Sequence, residues 1–545
     1  MASGLNIASG LNPSLRNRNY PYYEIDKLED LRELLSIKNE KSPHKTAFMY
    51  FTGDDGSIEK KTYAEVYRDV SAMGNWVLRN RGQGRMVGVT GGNCYEWLLV
   101  FLAVANTGNT VVAVDAELPG DDMVKLFGQG DADSVFASAH CAEKLRSSGY
   151  EGDIVTFDSI AGILNTDCAQ PADGPGYEDV VLDRDKCCCI LFTSGTSGLS
   201  KGVMLSHRNF AFDIVNSCRL YKLDGPSAAV LPFHHAFGLV VGGFMVFHYG
   251  WPEFINKSLK TVKQCMQVSK PAMLSLVPLF VESFHKQIWK TAEKEGRAST
   301  LKRAMKVSDG MLAIGVDMRR TMFADVRKAF GGDLEYIICG GAELNPALIR
   351  EFRTWGVEIL NGYGTTECSP VVGVNRNFFH RDGSVGQPLP DSEVKISADG
   401  EVLVRGDHVM LGYYKDPEAT EEAFWDGWYR TGDLGKIDKD GFVTLTGRKK
   451  NLIILSNGEN ISPEEIEMAY MKDPGVCEVM VYAEKGRLTA EIYPEEEYAG
   501  KTDYFSRLTR SINARKPAFK RIIVTKVRDT EFAKNGSKKI IRYRT

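Results

Sequence analysis

The sequence predicts an α/β protein: a large N-terminal domain of parallel or mixed sheets with helices, carrying a β subdomain, followed by a small α+β C-terminal domain. Three observations predict it. Apolar strand-like runs alternate with helical patterns through most of the first 364 residues, the rhythm of a parallel sheet covered by helices on both faces. Near residue 384 the texture changes to short β-prone runs separated by turn signals. After Arg448 an α+β pattern of about a hundred residues stands by itself. The expected division is a flexible leader over 1–25, a first domain over 26–447 with the β subdomain at 384–447, and a second domain over 448–545.

Each element has a local reason. Leu28, Leu31, Leu34 and Leu35 recur at helical spacing, which predicts a helix over 26–38. Thr62 and Glu65 form a capping-box pattern, opening a helix whose Val66, Val70, Met73 and Val77 face inward. Strands are expected at 86–91, 110–115 and 134–138, with helices at 94–106 and 121–128 between them. The run CCCILF, 187–192, reads as a buried strand. Further strands are expected within 228–233, 272–278, 336–341 and 358–364. In the β subdomain, Asp440-Gly441 closes a hairpin. Beyond it, Ser462-Pro463-Glu464-Glu465 predicts a helix start, with Ser462 as N-cap and a Glu closing the box. Three strands follow, in CEVMVYAE, RLTAEIYP and KRIIVTKV.

Bulk properties bound the function. In 545 residues, 43% are hydrophobic and 25% charged, which is ordinary for a globular chain. A net charge of −4 provides no basic field for nucleic acid. The eleven cysteines show no CxxC pair and no metal-ligand spacing, and Cys187–Cys189 sit in the expected buried strand; they read as small hydrophobes in a reducing compartment. The polar start, with SGLN at 3–6 and again at 9–12, shows no cleavable signal, and the longest apolar run, Trp97 to Ala105, is about half a membrane span. A cytoplasmic location is expected, and peripheral membrane contact stays open.

The richest stretch runs from Leu191 to His207. It places Gly195, Gly198 and Gly202, the hydroxyls of Thr193, Ser194, Thr196 and Ser197, and Lys201 directly after the apolar strand. Glycines let the backbone approach a polyanion, hydroxyls and N–H groups donate, and the lysine adds charge, so the run reads as a phosphate-gripping loop. A Gly/Ser linker has similar composition, but linkers do not directly follow a buried strand. The G-x-x-x-x-G-K-[ST] spacing is absent.

The order TSGTSGLSKG resembles the phosphate loop of the adenylate-forming (AMP-binding) superfamily. LPFHHAFGL at 231–239, NGYGTTE at 361–367, YRTGDLG at 429–435, GRKKNLIILSNGENISPEEIE at 447–467 and EFAKNGSKKIIR at 531–542 follow in the family's order. The resemblance covers the chain from about residue 40. It implies a mobile C-terminal domain, an active site between the two domains, and a two-step reaction. A carboxylate first attacks the α-phosphate of ATP, giving acyl-adenylate and pyrophosphate. A thiol then displaces AMP. Charge spread over phosphate oxygens must be met by cations and donors placed in advance, with Mg²⁺.

The resemblance also assigns residues. Thr193, Ser194, Gly195, Thr196, Ser197, Gly198 and Lys201 would hold the β- and γ-phosphates. Gly340, Gly341 and Ala342 would let a strand end lie against the nucleotide. In Asn361-Gly362-Tyr363-Gly364-Thr365-Thr366-Glu367, Tyr363 would offer a face to adenine, Thr366 a hydroxyl to the α-phosphate and Glu367 a hard oxygen to Mg²⁺. Asp433 would accept from the ribose hydroxyls, Arg448 would contact ribose and phosphate, and Lys450 would be the hinge between two closed states. The NGEN segment, 457–460, would approach the cleft in the second state. Lys539, three residues before Arg542, would be the adenylation lysine, with Lys538 one residue away. His235 would gate the acyl pocket, and His234 would be structural.

Pro232-Phe233-His234-His235 holds no acid to pair with an ammonium, which argues against an amino-acid substrate. The stretch SLVPLFVESFHKQIW and the C-terminal ending resemble bacterial long-chain fatty acyl-CoA synthetases. The expected substrate is therefore a fatty or other hydrophobic acid, with aryl and sterol acids open. The acceptor is CoA, or the phosphopantetheine arm of a carrier protein. A luciferase-like oxygenase and a non-catalytic nucleotide-binding homologue are the other readings. Lys201, Glu367, Asp433 and Lys539 together argue against the last.

Overall fold

The computed structural model describes residues 22–53, 56–165, 176–193, 200–454, 460–484, 487–534 and 540–542. The chain forms two compact units. One runs to Leu344 and includes Leu348–Glu393 and Val404–Tyr429; the other comprises Asn345–Ala347, Val394–Leu403 and the chain from Arg430 onward.

The first unit is built on two large sheets. The nine-stranded sheet has a parallel centre in the order Glu358–Gly364, Tyr336–Cys339, Met273–Leu276, Ser227–Ala229, Glu253–Ile255, Thr46–Phe51. Antiparallel strands close both edges, Val371–Val374 and Gln387–Pro388 on one side and Ile58–Thr62 on the other. The seven-stranded sheet carries parallel strands Cys187–Thr193, Thr110–Ala113, Met86–Thr90, Ser134–Ala137 and Asp153–Thr156. Lys201–Ser206 and Gly412–Tyr413 are added antiparallel at one edge. Parallel strands buried on both faces explain their continuous Val, Ile and Leu runs.

Local signals placed most elements. The Thr62–Glu65 capping box opens the helix Tyr63–Arg81, and Val66, Val70, Met73 and Val77 are fully buried. The first helix starts later than its leucine spacing suggests, at Leu31, because the Asp30 carboxylate accepts from the N–H groups of Arg32 and Glu33 and fixes the cap there. The strand expected within 228–233 ends at Ala229, short of Pro232. On one face of the nine-stranded sheet Ala228, Phe254, Leu274, Leu276, Ile337 and Ile359 join an apolar core with Phe352 and Trp355.

In the second unit the strand Val476–Glu484 pairs antiparallel with Arg487–Pro494, which pairs in parallel with Val524–Val527. The helices Pro463–Met471 and Thr502–Asn513 pack Ile466, Tyr470, Phe505 and Ile512 onto Val479, Val481, Ala490 and Ile492. Ser462 does stand at the N-cap position with Pro463 behind it, but its side chain makes no cap bond. Its hydroxyl instead donates to Glu464 at 2.9 Å, so the box is not closed. Among the described residues no cysteine is in a disulfide, and no described helix is long and apolar enough to cross a membrane.

Candidate active site

The two antiparallel strands Cys187–Thr193 and Lys201–Ser206 pair in a register that puts Thr193 directly opposite Lys201. Both ends of the glycine- and hydroxyl-rich loop are thereby fixed by sheet bonds. Ser194, Gly195, Thr196, Ser197 and Gly198 lie outside the described residues. Next to Lys201 the short strand Gly412–Tyr413 joins the same sheet, with Tyr413 opposite Val203. The Lys201 ammonium sits 4.6 Å from the centre of the Tyr413 ring, within cation–π range.

Tyr413 also reaches the NGYGTTE segment. That segment continues the strand Glu358–Gly364 into a single 3₁₀ turn, Thr366–Cys368. The Tyr413 hydroxyl donates to Glu367 Oε1 at 2.9 Å. Two further bonds hold the segments together: the Met410 N–H donates to the Glu367 carbonyl at 2.8 Å, and Ser369 Oγ to the His408 carbonyl at 2.8 Å. Burial, then the neighbouring Glu367 carboxylate, pushes the Tyr413 phenol well above its ordinary range, so it stays a donor. Lys201, Tyr413 and Glu367 thus form one cluster of cation, ring and carboxylate.

The strand ends around it suit a ligand. Tyr336–Cys339 ends at Gly340-Gly341, and Gly341 takes φ +84°, which glycine adopts without strain. Gly340 needs no such freedom, and Ala342 is exposed. Gly364 is required by close approach: a Cβ there would lie 1.9 Å from the Pro370 carbonyl oxygen. Gly362 packs beside Val374. Tyr363 is buried. Asn361 is largely structural, its amide donating to the Ser384 carbonyl at 3.1 Å. Asn361 Oδ1 and Thr365 Oγ1 are buried with no hydrogen-bond partner among the described residues, so this strand end keeps unused polar capacity. Thr366 and Glu367 are partly open.

His235 opens at the surface, with its ring centre 4.3 Å from that of His234. Burial pushes the His234 imidazole down to about 3, with Nε2 lying 3.4 Å from Asp115 Oδ1. Partial desolvation also lowers the His235 pKa, against the opposing pull of Asp115. The His234 ring is neutral at physiological pH.

The second unit brings together two residues that were singled out separately. Trp428–Ile437 and Val443–Arg448 form the expected hairpin, and its register sets Asp433 opposite Arg448. Arg448 Nε lies 2.7 Å from Asp433 Oδ1. Asp433 is buried while its partner is half-exposed. Beneath them the buried Glu401 accepts from the Gly432 N–H at 3.1 Å and from Lys449 Nζ at 2.8 Å. The adjacent Lys450 lies in the turn Lys449–Asn451, and partial burial followed by the Arg448 charge lowers its pKa. Lys538, Lys539 and residues 457–459 lie outside the described residues. Their flanks are fixed: Lys534 and Ile540 form an antiparallel bridge, Lys534 pairs with Glu478, and Arg542 binds both oxygens of Glu467 at 2.8 and 2.5 Å.

Sequence reasoning missed Tyr413 and Glu401. The run LGYY carries a weak turn-and-aromatic signal; Glu401, inside a strand pattern, carries none. Among the described residues no three His, Cys, Asp or Glu side chains converge as a metal cage. Glu367, with one oxygen held by Tyr413, fits a Mg²⁺ ion bound by one carboxylate and the substrate's own phosphates.

Comparison with known proteins places the chain in a family. The family model described as AMP-binding enzyme matches residues 35–414. The long-chain-fatty-acid–CoA ligase FadD15 of Mycobacterium bovis is 31% identical over 462 residues, covering 78% of this chain and 76% of that protein. Long-chain-fatty-acid–CoA ligase 6 of Rattus norvegicus is 26% identical over 485 residues, covering 80% and 70%. Among solved structures, the o-succinylbenzoate CoA synthetase MenE from Bacillus subtilis, in complex with its acyl-adenylate intermediate, superposes with a TM-score of 0.73 at 21% identity, covering 93% of this chain and 96% of that one. A Mycobacterium tuberculosis fatty acyl CoA synthetase superposes with a TM-score of 0.67 at 22% identity, covering 95% and 97%. At these identities the superpositions speak for the fold.

Proposed function

The chain belongs to the AMP-binding enzyme family, as an AMP-forming acid–thiol ligase, and on that premise we propose that its acid is a hydrophobic, fatty-type carboxylic acid and its thiol is that of CoA. The observation that carries the reading is the Lys201–Tyr413–Glu367 cluster beside the strand end at Thr365. It puts a fixed cation and a hard oxygen next to unused hydrogen-bonding capacity, as a triphosphate requires.

In the first step a carboxylate oxygen of the acid bonds to the α-phosphorus of ATP, and the bond to the pyrophosphate oxygen breaks. Lys201, with the hydroxyl-rich loop, meets the charge moving onto pyrophosphate. Thr366 donates toward the α-phosphate, and Tyr363 lies along the adenine. Bound Mg²⁺, held by Glu367, would neutralise phosphate charge. Asp433 accepts from the ribose hydroxyls and Arg448 reaches ribose or phosphate; their ion pair keeps both side chains in place before the nucleotide arrives. Lys539 bridges the carboxylate and the α-phosphate. In the second step the thiol sulfur bonds to the acyl carbon, AMP leaves with the carboxylate oxygen, and the thiol proton goes to solvent. His235 stands at the acyl entrance. Rotation about Lys450 exchanges the adenylating arrangement for the thioester-forming one. The acid-free segment at Pro232–His235 and the similarity to long-chain-fatty-acid–CoA ligases support an alkyl acid over an amino acid. A cytoplasmic location accompanies this reading.

A screen for pyrophosphate release across fatty, aryl, sterol and amino acids, with and without CoA, tests it. Release with fatty acids, and AMP plus thioester only when CoA is present, is expected. Release without thioester would move the acceptor to a carrier protein. Release with amino acids alone would overturn the substrate reading.

A further inference from the structure

The π-helix Phe237–Phe244 begins two residues after His235. Its first ring, Phe237, lies 3.6 Å from where a Cβ on Gly340 would stand, at the ligand end of the sheet. Towards its other end a Cβ on Gly243 would come 4.0 Å from Glu253 Oε2. One helix therefore reaches from the candidate site to Glu253. Sheet register supplies the rest of that surface. Glu253 pairs with Ser227, and Ser227 with Met273, both in parallel. Paired residues share a face, and Ser275, two positions after Met273, returns to it. Phe48, the other partner of Glu253, packs its ring 5.6 Å from that of Phe247 just past the π-helix, which marks this as the helix-covered face.

Glu253 and Ser227 are 0% exposed and Ser275 is 2% exposed. Both carboxyl oxygens of Glu253 and the hydroxyls of Ser227 and Ser275 lack hydrogen-bond partners among the described residues. Four buried polar atoms without partners, on one face, are costly to leave so. One position before Gly243 on the same helix, Gly242 is buried, yet a Cβ on it would meet no atom outside the helix's own backbone within 4 Å. Burial holds the Glu253 carboxyl well above the usual carboxylate range, so it can both donate and accept. Met273 and Ser227 stand level with Tyr336, four residues before Gly340, or roughly 13 Å back along the strands.

We propose that Glu253, Ser227 and Ser275 form a polar subsite at the far end of the acid-binding pocket, taking a hydroxyl group carried on the distal part of the substrate chain. The proposal rests on the acid-activating reading above and narrows its substrate to hydroxylated alkyl acids. A pocket built to hydrogen-bond a hydroxyl discriminates strongly against the analogue lacking it, because its own polar groups are then left unpaired.

The test compares pyrophosphate release from plain alkanoates with that from the same acids carrying a hydroxyl at successive carbons. For wild-type protein, kcat/KM is expected to favour a distally hydroxylated acid by about tenfold or more. In Glu253→Leu that ratio should fall to about one, while Glu253→Gln, which keeps a donor and an acceptor, should retain most of it. Ser275→Ala, a smaller change, should lower the ratio several-fold and keeps the test alive if Glu253→Leu does not fold. Release from plain alkanoates with no preference for any hydroxylated acid, or a preference that neither Glu253→Leu nor Ser275→Ala alters, overturns the subsite alone. Absence of release from every acid overturns the acid-activating reading and the subsite with it.

Discussion

Replacing Tyr413 by Phe removes one hydroxyl and leaves the ring. Its bond to Glu367 Oε1, at 2.9 Å, is from a neutral donor to a charged acceptor, and Tyr413 is 8% exposed. Hydrogen bonds to charged groups contribute about 1.5–3 kcal/mol. Glu367 is partly open, so solvent replaces some of the lost bond, and about 1–2 kcal/mol is the reasonable expectation. With a factor of ten for every 1.4 kcal/mol, that corresponds to a loss of roughly 5- to 30-fold. The loss should appear as a raised Mg²⁺ concentration for half-maximal pyrophosphate release, because the freed carboxylate is no longer aimed. The Phe ring still faces Lys201, so the KM for ATP at saturating Mg²⁺ should move little. Tyr413→Leu removes the ring as well and should add the cation–π contribution, about 0.5–1 kcal/mol, as a further two- to fivefold rise in that KM. A Mg²⁺ titration and an ATP titration on both variants separate the two effects. If Tyr413→Phe leaves the Mg²⁺ requirement unchanged, Tyr413 does not position Glu367. If Phe and Leu behave alike towards ATP, the Lys201 contact contributes nothing.

Lys539→Ala should cripple pyrophosphate release yet leave thioester formation from supplied acyl-adenylate largely intact; equal failure of both half-reactions would refute the two-state reading. Arg448→Ala removes the guanidinium 2.7 Å from the buried Asp433 carboxylate and should raise the KM for ATP about tenfold, more than it lowers kcat, while an unchanged KM would remove the pair from the nucleotide site. Burial pushes His207, His248 and His408 down to about 4, so each is neutral when folded, whereas the unfolded chain takes up protons from near pH 6.5. Stability should hold above pH 6.5 and fall between 6.5 and 4 by up to about 1.4 kcal/mol per pH unit for each group, with denaturation midpoints at pH 7 and pH 5 as the check; His408→Leu should flatten the slope, and coincident midpoints would contradict it. Gly364→Ala drives a Cβ into the Pro370 carbonyl and should abolish pyrophosphate release or lower the unfolding temperature by several degrees; a variant with wild-type behaviour in both would show that the strand end can shift.

What the sequence made legible was chemistry that is local along the chain. The Thr62–Glu65 box needs only four consecutive residues, and the helix starts where it says. Asp433 and Arg448 each stood out within their own segments, but their pairing depends on the hairpin register, which no spacing rule supplied. Tyr413 was invisible for the same reason at longer range: its place beside Lys201 and Glu367 follows from a two-residue strand added to an edge more than two hundred residues earlier in the chain. At Ser462 the local rule named the right position and the wrong bond: the hydroxyl donates to the Glu464 carboxylate and accepts no backbone N–H. Glu253 is the sharpest instance. In the run Glu253-Phe254-Ile255, alternation assigns Phe254 to one face and Glu253 to the other, and a glutamate ordinarily marks the solvated face. Phe254 does enter the apolar core, so the alternation is right; the inference about water fails because the π-helix covers the opposite face. A strand's sequence reports which residues share a face. Whether water, a helix or a ligand lies over that face is decided by segments elsewhere, and a buried acid without partners is where that decision leaves a trace.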